Sequence, residues 1–127
     1  MNILDKPKPS SDPSGMIRKV MDLPLQCRDA RERVKKVRPI LNARGIRSVL
    51  VTGLGGSAIG GDILRALAWK RAKVSLSVNR HYELPAWVGP DTLVVCSSYS
   101  GNTEETLSAF AQALRKRARI LVISSGG

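Results

Sequence analysis

The sequence predicts an α/β protein: a three-layer, doubly wound parallel sheet with helices between successive strands. Three observations carry this. Short apolar runs at Ser48-Val49-Leu50-Val51-Thr52, Val74 to Val78, Leu93 to Cys96 and Ile120 to Ile123 are rich in β-branched residues and read as buried strands. Between them apolar residues recur at helical spacing, as in Ile63, Leu64, Ala66, Leu67 and Ala68, and again in Leu107, Phe110, Ala111 and Leu114. The first and third runs lead straight into loops of glycine or hydroxyl residues that open a helix, and open α/β sheets place ligands beyond such strand ends.

In chain order, residues 1–14 carry Pro7, Pro9 and Pro13 among serines and lysines, which leaves little to bury. They read as a flexible segment ahead of one domain spanning 15–127. Asp12-Pro13 marks a helix start, followed by an apolar stripe of Met16, Ile17, Val20 and Met21 as far as Leu23-Pro24. Pro24 opens a second helix in which Cys27, Ala30, Val34, Val37 and Leu41 follow at three- and four-residue steps. Pro39 should kink or restart that helix and Gly45 should close it. The pair is expected to be antiparallel, with its stripes covering one face of a sheet.

The first strand runs into Gly53-Leu54-Gly55-Gly56-Ser57-Ala58-Ile59-Gly60-Gly61-Asp62. Gly53-x-Gly55-x-x-Ala58 fits the dinucleotide fingerprint, yet the second strand ends in Asn79-Arg80 instead of the acidic residue that holds an NAD ribose. Arg80 keeps an NADP reading open. Ser57 caps the helix or meets a ligand. Gly55, Gly56 and Ser57 are assigned to ligand contact, and Gly60 and Gly61 to close helix packing.

The connection His81-Tyr82-Glu83-Leu84-Pro85-Ala86-Trp87-Val88-Gly89-Pro90-Asp91 is expected to be anchored by Tyr82 and Trp87, with His81 on the surface. The third strand then enters Ser97-Ser98-Tyr99-Ser100-Gly101-Asn102-Thr103-Glu104-Glu105-Thr106. A helix start leaves backbone N–H groups unpaired and carries partial positive charge, so an anion is stabilised there without a lysine. Ser98, Ser100 and Thr103 add hydroxyl donors, and Gly101 lets the chain turn tightly. Asn102 or Thr103 would cap the helix, with Glu105 or Thr106 reaching back, and capping alone is the competing explanation of the loop. Glu104 and Glu105 would repel a dianion unless they face away.

Composition sets the remaining bounds. At 127 residues and 43% hydrophobic content the chain suits one globular domain. Lys and Arg number 21 against 10 Asp and Glu, for a net charge of +11, but the basic residues are spread over several helix ends. No helix-turn-helix, zinc or aromatic RNA-binding pattern accompanies them, so no specific nucleic-acid partner is expected. Cys27 and Cys96 make no disulfide framework and read as reduced, buried or half-buried thiols. No apolar run suits a signal peptide or a membrane span, and a cytoplasmic location is expected.

Four ordered motifs carry a resemblance: Gly53 to Asp62, Tyr82-x-Leu84-Pro85, Ser98 to Thr106, and Ile123-Ser124-Ser125-Gly126-Gly127. Together they resemble the bifunctional phosphoglucose/phosphomannose isomerase family, whose members are built from sugar isomerase (SIS) domains. The likeness covers nearly everything from Met16 to Gly127. It implies a five-stranded parallel sheet of flavodoxin-like order, with the fifth strand missing from this chain. It also implies a dimeric enzyme that interconverts glucose 6-phosphate or mannose 6-phosphate with fructose 6-phosphate through an enediol, without metal or organic cofactor. Gly56 and Ser57 match residues that touch the sugar phosphate, and Ser98, Ser100 and Thr103 match its phosphate-binding hydroxyls. The family's glutamate base, ring-opening histidine, lysine and arginine lie downstream and find no match here, so no catalytic residue is assigned.

The chain thus reads as a truncated N-terminal sugar-phosphate-binding domain, inactive by itself, whose exposed last strand favours a homodimer or association through the sheet edge. A non-catalytic sugar-phosphate-sensing regulatory module is the alternative, ahead of an NADP-binding fragment.

Overall fold

A computed structural model describes residues 12–37 and 41–127. The expected kink at Pro39 and most of the expected flexible segment lie outside the described residues. The chain divides into two compact units, Met1–Asn42 and Ala43–Gly127.

In the first unit, α1 spans Met16–Met21 and α2 spans Leu23–Val34. The Asp12 carboxylate accepts hydrogen bonds from the backbone amides of Met16 (2.7 Å) and Ile17 (3.0 Å), which satisfies the start of α1. Those two bonds, the one from Ile17 foremost, hold Asp12 below the usual carboxylate range. Gln26 Nε2 donates to the Lys19 carbonyl at 2.9 Å and so ties α2 to α1. The second helix was expected to reach Leu41, but it ends at Val34 with Lys35 as its cap. Cys27, expected to be at least half-buried, is exposed, because it stands on a helix that has no buried residue.

The second unit is β1 (Ser48–Thr52), α3 (Gly56–Ala68), β2 (Ser75–Asn79), β3 (Thr92–Ser98), α4 (Glu104–Arg115) and β4 (Arg119–Ser124). Its four strands are all parallel, in the order β2-β1-β3-β4. This is the α/β three-layer sheet that the strand and helix pattern predicts, with two helices preceding it in the chain.

Side chains alternate across a strand, and the register sorts them into two faces. Leu50 lies opposite Val94, and Cys96 opposite Val122. Leu50, Val94 and Cys96 cluster with Ala109 and Ala113 of α4 and with Leu84 and Val88. Val51 and Val78 are paired on the other face, where they meet α3. The two helices therefore cover opposite faces. At Gly61 a Cβ would stand 2.9 Å from Val51 Cγ1 and 3.1 Å from Val78 Cγ2, so this glycine lets helix and sheet approach as expected. Gly60 does not share that role: it faces open space, one position round the helix.

The connection before β3 is held differently from the expectation. Tyr82 and Trp87 are half exposed, while Leu84 and Val88 enter the core. Gln112 of α4 secures the backbone, its Oε1 accepting from Leu84 N at 3.1 Å and its Nε2 donating to the Tyr82 carbonyl at 2.6 Å. The smaller aliphatic side chains fit beneath the helix, and the large rings stay at the rim. Among the described residues no helix is long and apolar enough to cross a membrane.

Candidate functional site

Two loops leave the sheet at its C-terminal edge from adjacent strands, β1 and β3. The chain proceeds from β1 to β2 in one direction and from β3 to β4 in the other, so the connections diverge and leave a crevice between them. The β1 loop turns at Gly55, whose φ of 53° suits glycine, and α3 begins at Gly56 with no side-chain cap. Gly53 is buried where the two strand ends converge: a Cβ there would fall 2.7 Å from the Ser97 carbonyl oxygen.

The β3 loop is tied by its own hydroxyls. Ser98 Oγ and Thr103 Oγ1 are 2.9 Å apart, and the Gly101 amide donates to Ser98 Oγ at 3.1 Å. Gly101 has φ 76°, and a Cβ there would fall on the Gly126 carbonyl. The chain after β4 braces this loop from behind, with Ser125 Oγ donating to the Tyr99 carbonyl at 2.7 Å. Thr103 occupies the cap position of α4, as one of the two expected candidates, but its side chain makes no capping bond. Its hydroxyl is turned to Ser98 instead, so the first-turn amides of α4 lack a side-chain cap.

Gly56, Ser57, Ser100 and Thr103 come together in one open cleft of about 580 Å³, with Leu54 and Tyr99 completing its walls. Gly55 shapes the turn beside it. Ser98 is buried, and with Gly101 it lines a separate pocket behind the loop. Tyr99, which is 81% exposed, was not singled out from sequence, although its place between Ser98 and Ser100 on a strand-to-helix loop was a usable signal.

The acidic residues are held away from this cleft. Tyr82 Oη donates to Glu104 Oε2 at 3.1 Å, an interaction that raises the Tyr82 phenol above its usual range. Glu105 lines a second depression of about 480 Å³ with Arg80, His81, Tyr82 and Glu83. Arg80, the residue that kept an NADP reading open, forms an ion pair with Asp62, which Arg65 also approaches at 3.5 Å. Burial pushes the Cys96 thiol up to about 11. Among the described residues no cluster of histidine, cysteine and carboxylates could hold a metal ion.

Fold and site together define an α/β parallel-sheet protein with a hydroxyl-lined cleft at the topological switch point. No family model matches the chain. A bifunctional phosphoglucose/phosphomannose isomerase from Caldicellulosiruptor bescii is 49% identical over 112 residues, 88% of this chain and 33% of that protein. An enzyme of the same name from Thermoplasma acidophilum is 39% identical over 80 residues, 63% of this chain and 25% of its own length. A D-glucosamine-6-phosphate 4-epimerase from Sulfolobus acidocaldarius is 36% identical over 91 residues, 71% of this chain and 28% of the epimerase. The chain is a homologue of the bifunctional phosphoglucose/phosphomannose isomerases, matching between a quarter and a third of the length of the two described.

Proposed function

We propose that this chain is the sugar-phosphate-binding part of an aldose–ketose isomerase that interconverts glucose 6-phosphate or mannose 6-phosphate with fructose 6-phosphate. The observation that carries the reading is the convergence of Ser57, Ser100 and Thr103 on one cleft beside two helix starts without side-chain caps. In this reading the 6-phosphate sits at the start of α4. Ser100 and Thr103 donate to it from one side, and Ser57 and the Gly56 backbone meet it from the other. Ser98 orients Thr103, while Gly55 and Gly101 supply the two positive-φ turns. The homologues support a sugar phosphate as ligand: the isomerases and the epimerase differ in reaction, but the names of all three enzymes point to phosphorylated hexoses.

The reading separates holding the substrate from transforming it. Leu54, Gly56, Ser57, Tyr99, Ser100 and Thr103 line the cleft, and none is a carboxylate or an imidazole. Isomerisation needs a base within about 3 Å of the C1 or C2 proton. This favours binding without turnover by the chain alone, and it keeps a sugar-phosphate-sensing module as the second reading. We further propose association of two copies along β4, which is an edge strand with Val122 and Ile123 more than half exposed.

Calorimetric titration tests the assignment. Fructose 6-phosphate and glucitol 6-phosphate should bind comparably, because the phosphate is what is held, and unphosphorylated fructose should not bind. Binding of NADPH in preference to both sugar phosphates would overturn the reading. A coupled assay for glucose 6-phosphate should detect no turnover, and turnover lost in Ser57→Ala would refute the separation of binding from chemistry.

A further inference from the structure

β3 stands between β1 and β4, so the backbone groups at its C-terminal end turn either to the β4 side or to the β1 side. On the β4 side the chain supplies a partner. Ser125, just past β4, donates twice to the Tyr99 carbonyl, from its backbone N–H at 3.3 Å and from its Oγ at 2.7 Å. A carbonyl oxygen has two lone pairs, and both are taken here. The segment that carries Ser125 is itself held, since Ser124 Oγ donates to the Gly126 carbonyl and that carbonyl fills the space a side chain would need at Gly101.

The Tyr99–Ser100 peptide is trans and planar, so its N–H points opposite to its C=O. With the carbonyl held toward β4, the Ser100 amide is turned to the β1 side. There the β1 loop has already bent away through Gly55, and the Ser100 amide meets no acceptor among the described residues. That side is the cleft, which Ser100 lines together with Gly56 and Ser57. The Ser100 hydroxyl is prepared in the same sense: its Oγ accepts from Asn102 N at 3.3 Å, which leaves its proton to donate. A reversed Tyr99–Ser100 peptide would present a carbonyl oxygen to the cleft instead, and that oxygen would repel an anion.

We propose that Ser125 is a positioning residue of the phosphate site: it clamps the Tyr99 carbonyl so that the Ser100 amide stands in the cleft as a backbone donor to the phosphate. This rests on the sugar-phosphate reading of the cleft.

The test is a titration of the full 127-residue chain with glucitol 6-phosphate, followed by NMR at the Ser100 amide and by calorimetry, in the wild type, Ser125→Ala and Ser125→Thr. Ser125 is exposed, so neither variant disturbs the core. In the wild type the Ser100 amide proton should move downfield on binding. Ser125→Ala should weaken binding by about three- to tenfold, the worth of one neutral hydrogen bond, and should shrink that shift, while Ser125→Thr keeps the hydroxyl and restores both. A brace that only stabilised the loop would change unfolding and leave the Ser100 shift as it is. A wild type that binds with its Ser100 amide unmoved, Ser125→Ala binding as tightly as the wild type, or Ser125→Thr as weak as Ser125→Ala would each overturn the clamp and leave the cleft reading standing. No binding by the wild type would overturn both.

Discussion

Gly60 and Gly61 are neighbours on α3, yet alanine should act in opposite directions at the two. At Gly60 the new methyl meets open space. The substitution there only removes the backbone freedom that glycine loses in a helix, and it should stabilise by about 0.8–1 kcal/mol. At Gly61 the same gain is opposed by contact with Val51, whose Cβ would lie 3.0 Å and Cγ1 2.9 Å from the methyl, and with Val78 Cγ2 at 3.1 Å. Val51 is buried and β-branched, so it cannot rotate clear without leaving its rotamer, and overpacking of this kind costs about 1–3 kcal/mol. Gly61→Ala should therefore range from nearly neutral to about 2 kcal/mol destabilising, and the pair of variants should differ by about 1–3 kcal/mol. Both tryptophans, Trp69 and Trp87, lie in the Ala43–Gly127 unit, so urea denaturation followed by their fluorescence reads the unit that contains α3. A Gly61→Ala midpoint equal to or above that of Gly60→Ala would refute the packing argument.

Ser100→Ala should lose about 1.5–3 kcal/mol of sugar-phosphate binding, the worth of a hydrogen bond to a charged acceptor, as read by calorimetry; unchanged affinity would remove Ser100 from the site. Burial raises Cys96 from 9.0 to about 11, so its contribution to stability is intact below pH 9 and is lost as the pH climbs toward 11. Over that window the wild type should lose about 2–3 kcal/mol more than Cys96→Val, and parallel losses would show that the thiol is not the cause. At pH 8 a thiol reagent should label the exposed Cys27 and reach Cys96 only on unfolding. Ile123→Lys places a charge on the exposed edge and should shift the chain toward monomer by light scattering; a wild-type chain already monomeric at the same concentration would remove the edge as an interface.

How far the sequence reads depends on where polarity falls within each element. β1 is legible at its observed bounds, because an apolar, β-branched run stops at a glycine that must be one. β3 is longer than its apolar centre: Thr92 and Ser98 belong to it, and each hides its hydroxyl by local pairing, Thr92 Oγ1 with Ser48 Oγ at 3.0 Å and Ser98 Oγ with Thr103 Oγ1. A buried hydroxyl that is paired across strands looks like a loop residue in one dimension. The loops stand out in the sequence as candidate ligand loops, but which of their hydroxyls face outward does not. Ser98 and Ser100 are two residues apart, and the strand ends between them, so the pleat no longer predicts their directions. That the buried Thr106 hydroxyl has no hydrogen-bond partner among the described residues left no trace in sequence, since a threonine in the first turn of a helix reads as a capping residue.

The position of the cleft follows from the sheet order more than from any one residue. With β1 and β3 adjacent and their crossovers running opposite ways, α3 and α4 leave on opposite faces, and both begin at the same crevice. Each start carries partial positive charge, so in the proposed reading a dianion between them needs hydroxyls for orientation but no lysine or arginine. The charges that would oppose it are elsewhere: Glu104 is engaged by Tyr82, Glu105 lines another depression, and Asp62 is paired with Arg80. An anion site made of backbone and hydroxyls has little acid–base capacity, and it holds a phosphate end equally well whichever carbon of the sugar is to react. That neutrality toward the chemistry fits the likeness of one stretch of chain both to isomerases and to an epimerase. In the proposed reading the cleft selects the phosphate, and the reaction is decided by groups brought to the other end of the sugar.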